Sequence, residues 1–400
     1  MSPHQDAAIL TRRATLLGLA GAITLGRTSL AVAAAPTEQR LVVVLLRGAL
    51  DGLSAVVPHG DPALAGLRAG MGPGAPGVEG GALDLGGFYA LHPALSGMHA
   101  LYGNGEMLAV HAVAGSWRNR SHFEAQDWLE FGAEHRLSSG WLNRVAGALA
   151  PSQPGKGAEL ALAVGNLMPV LLRGPAPVGN WLPQSFQAPQ ADLYARIAAL
   201  HARDPVTGPA LTTGLRERGF SAATLAGAEE PANKFAFPAL AASAGKMLAA
   251  ANGPRLAALE IGGWDTHANQ ADRLAGPLRQ LDAGLLALKA ALGPVWARTA
   301  VLVMTEFGRT VRPNGTRGTD HGTASVAFVL GGGVAGGRVR GDWPGLGEGK
   351  LFENRDLAPT TDLAAITKGV LAQHLRLDAR ALAAVFPDNR VAAMSGLLRG

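Results

Sequence analysis

Four hundred residues with 48% hydrophobic and 16% charged content make a chain that can bury a large core, in the globular rather than the disordered or fibrous class. The formal net charge is +5, and no Lys/Arg-rich run with interleaved aromatics occurs, which argues against nucleic acid as a partner. There is no cysteine, so disulfides, thiolate metal sites and cysteine nucleophiles are excluded, and any metal must be held by His, Asp and Glu.

The first 35 residues read as an export signal. Thr11-Arg12-Arg13-Ala14-Thr15-Leu16-Leu17 is a twin-arginine box, Leu16–Leu25 is a short apolar core, and Ala31-Val32-Ala33-Ala34-Ala35 offers small residues for cleavage. The apolar run is shorter than the roughly 20 residues that a spanning helix needs, so the mature chain is expected to have no stable membrane span. The expected division is residues 1–35 as signal and 36–400 as one domain. The twin-arginine machinery would carry it to the periplasm or out of the cell. The signal holds Arg12, Arg13 and Arg27 against Asp6, a net of +2, so the remainder carries +3.

Arg40–Leu46 is a short, continuous, β-branched run, which predicts a buried parallel strand rather than an exposed alternating one. Asp51 follows just past its end, in a glycine-rich turn. It reads either as a turn aspartate or as a ligand at the strand end. Pro62 to Gly87 is rich in Gly, Pro and Ala and is expected to be an excursion with little structure. A helix opens at Leu91-His92-Pro93 and runs through Tyr102. Met107–Val113 is a second apolar strand. After it, Ser121 begins a helix to about Phe131. Ser121 and Glu124 have capping-box spacing, yet a serine at a helix N-terminus also lies where an anion is favoured. Both readings stay open, with Arg118, Arg120 and His122 adding positive charge nearby.

Trp141–Leu149 reads as a helix and Pro151–Gly157 as a linker. Leu160–Val164 and Pro169–Leu172 read as a hairpin around Gly165-Asn166. Gln190–His201 and Phe235–Ala251 have helical patterns. Two further buried strands, Leu256–Ile261 and Thr299–Thr305, flank an amphipathic helix over Asn269–Leu292. Ala324–Leu330 is another strand, and Thr360-Thr361-Asp362 caps a last helix, Leu363 to His374. His374 reads as structural.

The chemistry concentrates between Glu260 and His321. Asp265 and His267 follow one strand; Glu306 follows the other, with Asp320 and His321 beyond it. Ligands in open α/β sheets bind beyond the carboxyl ends of strands, so these groups are expected on one rim. Carboxylate with imidazole suits Zn, Mn or Fe, and an all-oxygen set suits Mg or Ca. One or two such ions would hold a phosphoryl or sulfuryl oxygen and lower the pKa of a serine or water hydroxyl. Arg309, just past the second strand, is the first candidate to pair with the anion, and Arg120 the second.

The motifs R-G-A-L-D-G-L near Asp51, L-H-P-A-L near His92, R-S-H-F-E-A-Q-D near Ser121, G-G-W-D-T-H-A-N-Q, T-E-F-G-R-T and G-T-D-H-G spread from about Leu41 to Leu377. In them the chain resembles a bacterial family of twin-arginine-exported proteins with a domain of no assigned function. That family lies within the alkaline phosphatase-like superfamily, beside sulfatases and metal-dependent phosphoglycerate mutases. The resemblance implies a three-layer α/β/α sandwich with a mostly parallel central sheet. It implies metal ligands at Asp51, Asp265, His267, Glu306, Asp320 and His321 and a serine nucleophile at Ser121; Arg309, from its place past the strand, and His122 are the further catalytic candidates. The implied activity is hydrolysis of a phosphate or sulfate ester of a small molecule or saccharide, by the serine or a metal-bound water. The alternative is a non-catalytic exported protein that keeps the fold for binding or assembly.

Overall fold

The computed structural model describes residues 37–150, 160–183, 191–205, 207–227 and 231–399. The segments expected to be an export signal and a linker, residues 1–35 and Pro151–Gly157, lie outside the described residues. The strands are β1 (Arg40–Arg47), β2 (Val56–Val57), β3 (Leu83–Asp84), β4 (Ala90–Leu91), β5 (Met107–Ala114), β6 (Ala161–Val164), β7 (Val178–Trp181), β8 (Leu256–Gly262), β9 (Thr299–Thr305), β10 (Ser325–Leu330), β11 (Arg338–Arg340) and β12 (Thr361–Asp362). Among the described residues, nine of them form one sheet in the order β11-β5-β10-β9-β1-β8-β6-β7, with β12 also on β5; β2, β4 and β3 form a small separate one. Only β10 runs against its neighbours in the large sheet.

Every residue of Leu41–Leu46 is buried, and alternate side chains serve opposite faces. Val42, Val44 and Leu46 pack with Leu278, Leu281 and Leu285 of the helix Gln270–Leu292 and with Ala244 and Met247 of the helix Phe237–Ala249. Leu41, Val43 and Leu45 pack with Trp141, Leu142 and Val145 of the helix Trp141–Leu149 and with Ile366 and Val370 of the helix Leu363–His374. Helices on both faces make three layers, and burial of each such side chain contributes about 1.5–3 kcal/mol. This two-sided burial is why the run reads as continuous rather than alternating.

The helix Gln270–Leu292 does connect β8 to β9, but these two strands are not neighbours: β1 lies between them. The expected hairpin around Gly165-Asn166 does not form. β6 pairs in parallel with Val178–Trp181, and Val170–Leu172 is a 3-10 turn. That apolar run is buried by packing against a helix: Glu130 accepts from the Leu171 amide at 2.8 Å and Asn143 donates to the Leu172 carbonyl at 2.9 Å. Short apolar runs do not distinguish strand from helical turn by pattern alone. The helix expected from Pro93 to Tyr102 is a 3-10 turn, Pro93–Leu95, followed by an α-helix, Ser96–Gly103. No helix among the described residues is long and apolar enough to cross a membrane.

Strand direction decides where the chemistry goes. β1, β5, β8 and β9 point the same way, so the segments after Arg47, Ala114, Gly262 and Thr305 leave from one rim. β10 is antiparallel, so the segment before Ser325, with Asp320 and His321, arrives at that rim too. β5 carries a bulge at Ala112, which takes φ +54° where the β5–β10 register shifts. Bulges of this kind re-aim a strand at a sheet end.

Motif glycines let the loops close on one another. A β-carbon on Gly308 would stand 1.8 Å from the Ala324 carbonyl oxygen, one on Gly318 would stand 2.1 Å from the His267 carbonyl carbon, and one on Gly322 would stand 2.4 Å from the Arg309 carbonyl carbon. In the space so left, Thr310 donates to the Asp320 carbonyl at 2.9 Å and Gly322 to the Gly308 carbonyl at 2.8 Å.

Two outcomes follow from this packing. Gly322→Ala should cost about 1–3 kcal/mol of stability through a forced backbone shift. Gly315→Ala in the same loop, where a β-carbon meets nothing within 4 Å, should change it by less than about 0.5 kcal/mol. Urea unfolding of both variants measures the difference. Separately, burial pushes the His111 imidazole down to about 4 and the His92 imidazole likewise. An unfolded histidine takes up its proton near pH 6.5, whereas the folded ones resist, so their stabilising contribution is complete above pH 6.5 and is lost as pH falls toward 4. For His111 this drop, at ~1.4 kcal/mol per pH unit, amounts to about 3 kcal/mol. His111→Gln should flatten the acid limb of stability by about that much in unfolding curves taken from pH 7.5 to 4.

Candidate metal centre

Four segments meet at the rim. The helix His122–Phe131 opens with Ser121 as N-cap. Ser121 makes no side-chain capping bond; instead Asn119 accepts from the Ser121 amide at 2.7 Å and donates to Glu124. The capping box expected from the spacing is therefore absent, and the Ser121 hydroxyl is not spent on it. The next residue, His122, turns inward.

His122 Nε2 lies 3.0 Å from His321 Nε2 and 3.6 Å from Asp265 Oδ2, and His321 Nε2 lies 3.2 Å from Asp265 Oδ1. One ligand atom from each of these three residues falls within 4.8 Å of the others, and no second such grouping occurs among the described residues. His267 joins from the side: its Nε2 is 3.0 Å from Asp265 Oδ1 and 3.1 Å from His321 Nε2.

The opposite ring nitrogens are all committed. His122 Nδ1 is 2.7 Å from Glu306 Oε1, His267 Nδ1 is 3.1 Å from Asp320 Oδ1, and His321 Nδ1 is 2.8 Å from the Arg120 carbonyl. Carboxylates and carbonyls only accept here, so the tautomer that satisfies these contacts puts a proton on each Nδ1 and turns each Nε2 lone pair inward. Three imidazole lone pairs and a carboxylate then face one another with no hydrogen between them. One added proton on His122 satisfies one contact and leaves the others opposed. A cation satisfies them together, and histidines that donate Nδ1–H to an oxygen while offering Nε2 are the usual metal-ligand arrangement. The donor set of imidazoles and one carboxylate fits Zn²⁺ or a neighbouring transition ion, rather than Mg²⁺ or Ca²⁺.

Electrostatics follow from these contacts. Burial alone would push the Glu306 carboxyl up, but hydrogen bonds from His122, Gln126 and the Thr305 hydroxyl hold it below the usual range. The Gly48 amide adds a bond at 2.9 Å. The Glu306 hydrogen bond raises His122, whereas burial lowers His321. Asp265 is pushed up by burial but held down overall by Arg309. The Asn314 side chain, 3.0 Å away, lowers Asp320.

Of the residues expected to act together, Asp265, His267, Glu306, Asp320, His321 and His122 share this neighbourhood. Asp51 does not touch it. Its carboxylate is buried in an ion pair with Arg68 and accepts from Ser54 at 2.7 Å. Gln270 joins it to the site indirectly, contacting Asp51 and also Thr319 Oγ1 at 2.6 Å. Arg309 is buried with all three nitrogens engaged: Nη1 donates to Asp265 Oδ1 at 2.6 Å, and the other two nitrogens donate to Thr319. It holds a ligand residue rather than facing outward. Gln126 was not singled out by the sequence, although it stands four residues after His122 on the same helix face and donates to Glu306 at 2.8 Å; that i, i+4 spacing is the signal that would have found it. Asp356 has no such signal, because it lies in an irregular loop.

Among solved structures, the chain is similar to Ps i-CgsB in complex with k-i-k-neocarrahexaose, at 11% identity and a TM-score of 0.38, over 77% of this chain and 69% of that one. It is similar to the C-terminal periplasmic domain of EcEptC from Escherichia coli in complex with Zn, at 10% identity and a TM-score of 0.33, over 76% of each chain. It is also similar to alkaline phosphatase from the Antarctic bacterium TAB5, at 11% identity and a TM-score of 0.32, over 76% of this chain and 92% of that one. At such scores the likeness bears on neither activity nor ligand. No curated protein matches the chain. The family described as "Protein of unknown function (DUF1501)" matches residues 118–386, from the segment before Ser121 through Phe386, and the chain belongs to it.

Proposed function

We propose that the chain is an exported, metal-dependent hydrolase of a phosphate or sulfate ester. The observation that supports it most is the convergence of His122, His321 and Asp265, flanked by His267, with every Nδ1 held by an oxygen. His122, His321, Asp265 and, by a small turn of its ring, His267 would hold the ion. When bound, such an ion supplies Lewis acidity to an ester oxygen and lowers the pKa of an adjacent hydroxyl.

The protein's own groups divide the remaining work. Glu306 and Asp320 orient the His122 and His267 rings, and Arg309 orients Asp265. Ser121 is the proposed nucleophile. It stands between Arg120, whose carbonyl holds His321, and His122, at a helix N-terminus where backbone N–H groups favour an attacking or departing oxyanion. The open side of the site is formed by Asp265, His267 and Asp320, whose side chains are 43%, 46% and 55% exposed, so a substrate approaches from there. Export rests on the twin-arginine box at Arg12-Arg13.

Two observations favour the non-catalytic reading. Asp51 is taken by Arg68, and the described residues contain one cation grouping rather than two. The hydrolase reading requires both the ion and turnover; the non-catalytic one requires neither.

Protein purified without chelators should carry about one equivalent of zinc or manganese by elemental analysis. Asp265→Ala and His321→Ala should lose it, by more than the ~10–100-fold that removal of an outer partner costs. The parent should hydrolyse aryl phosphates or sulfates, stop on chelation and recover on readdition of metal. Ser121→Ala should retain the metal and lose turnover. Full metal content in the Asp265→Ala/His321→Ala double variant would remove this site. A metal-loaded parent with no turnover on a broad ester panel would establish the binding protein instead.

A further inference from the structure

Three arginines touch the residues of the metal centre, and they are not equivalent. Arg309 is fully enclosed, with each nitrogen engaged by Asp265 or Thr319. Arg120 touches the centre through its carbonyl, while its guanidinium turns away to Asp356 and Glu353. Arg355 donates Nε to Asp356 Oδ1 at 2.9 Å and one amino group to the His321 carbonyl. Its side chain is 44% exposed, and its Nη1 makes no hydrogen bond among the described residues.

We infer that Arg355 is the side chain that recognises the anionic group of the substrate, with Asp356 as its positioning residue. This rests on the metal-centre reading above and adds the residue that selects an oxyanion there. Asp356 is wholly buried and accepts from Arg355, from Arg120 Nε at 3.1 Å and Nη2 at 2.8 Å, and from Thr323 Oγ1 at 2.9 Å. Thr323 is two residues from His321, so one carboxylate ties the guanidinium to the backbone that delivers a metal ligand. The backbone around Arg355 is pinned as well. Phe352 and Asp356 exchange amide–carbonyl bonds at 2.9 Å each, and Val311 donates to the Arg355 carbonyl at 3.1 Å. Glu353 and Asn354 take φ of +51° and +54° to make that turn, a left-handed pair that residues with a β-carbon rarely adopt.

In a guanidinium held in this way, the unbonded Nη1 and the second N–H of Nη2, beyond the one given to the His321 carbonyl, make a preorganised fork for two oxygens of a tetrahedral anion, which an ammonium cannot match. The exposed carboxylates of Asp265 and Asp320 repel an anion until a cation neutralises them. The chemical class that fits is therefore a phosphate or sulfate monoester, bound after the metal.

Isothermal titration with zinc, then with inorganic phosphate, separates the claims. Arg355→Gln should keep zinc affinity within about threefold of the parent while weakening phosphate by about 10–100-fold, the worth of a lost charge-assisted bond. Arg355→Lys should fall between the two, because it keeps charge and loses the fork. Phosphate bound by zinc-loaded Arg355→Gln within about threefold of the parent would overturn the assignment and leave the metal centre standing. If Arg355→Gln loses zinc as well, Arg355→Lys decides: zinc retained with weaker phosphate supports the assignment, and phosphate unchanged overturns it. A parent that fails to take zinc would remove the metal centre and this assignment with it.

Discussion

Everything at the rim depends on one constraint: the outer nitrogen of each of three histidines faces an oxygen that can only accept. Glu306, Asp320 and the Arg120 carbonyl fix three protons on the outside of the cluster, so the inner face is all lone pairs. Such an arrangement is unfavourable alone, and a positive ion relieves it. The chain has built the outer ring of partners as carefully as the inner one. Glu306 receives hydrogen bonds from His122, Gln126, the Gly48 amide and the Thr305 hydroxyl, which keeps a nearly inaccessible carboxyl ionised. Ligand orientation by outer partners of this kind is what sets affinity in metal sites.

The sheet supplies this constraint. Parallel strands leave their connections at one rim, and the one antiparallel strand, β10, reverses so that Asp320 and His321 come in from its start rather than its end. Close loop packing then needs positions with no side chain. Gly308, Gly318 and Gly322 stand where a β-carbon would meet neighbouring backbone at 1.8–2.4 Å. The motif glycines thus belong to the same device as the motif histidines: one set permits the approach, and the other exploits it.

Much of this was legible beforehand. Strands β1, β8 and β9 announced themselves because burial on both faces leaves an uninterrupted apolar run. Asp265, His267, Glu306, Asp320 and His321 could be placed together because they follow such strands. What the sequence concealed were contacts made across long separations. Nothing near Asp51 shows that Arg68, from the Gly/Pro-rich excursion, will bury itself against it. Nothing near Arg309 shows that Thr319 will occupy two of its nitrogens. The Pro169–Leu172 run has the short apolar pattern of a strand, but its partners are helices, through Glu130 and Asn143. Arg355 and Asp356 sit in a loop without periodicity, and only their tertiary partners reveal them.

The charge at the open side ties these points together. Asp265 and Asp320 make the rim negative, whereas an anionic ester needs it positive; a divalent ion at the histidines reverses the sign. The central claim is therefore the place of that ion. Crystals of the zinc-loaded protein, measured for anomalous scattering at the zinc edge, address it directly. The account predicts a single strong peak within bonding distance of His122 Nε2, His321 Nε2 and the Asp265 carboxylate. A peak elsewhere, or none at this rim in crystals grown with zinc, would contradict it.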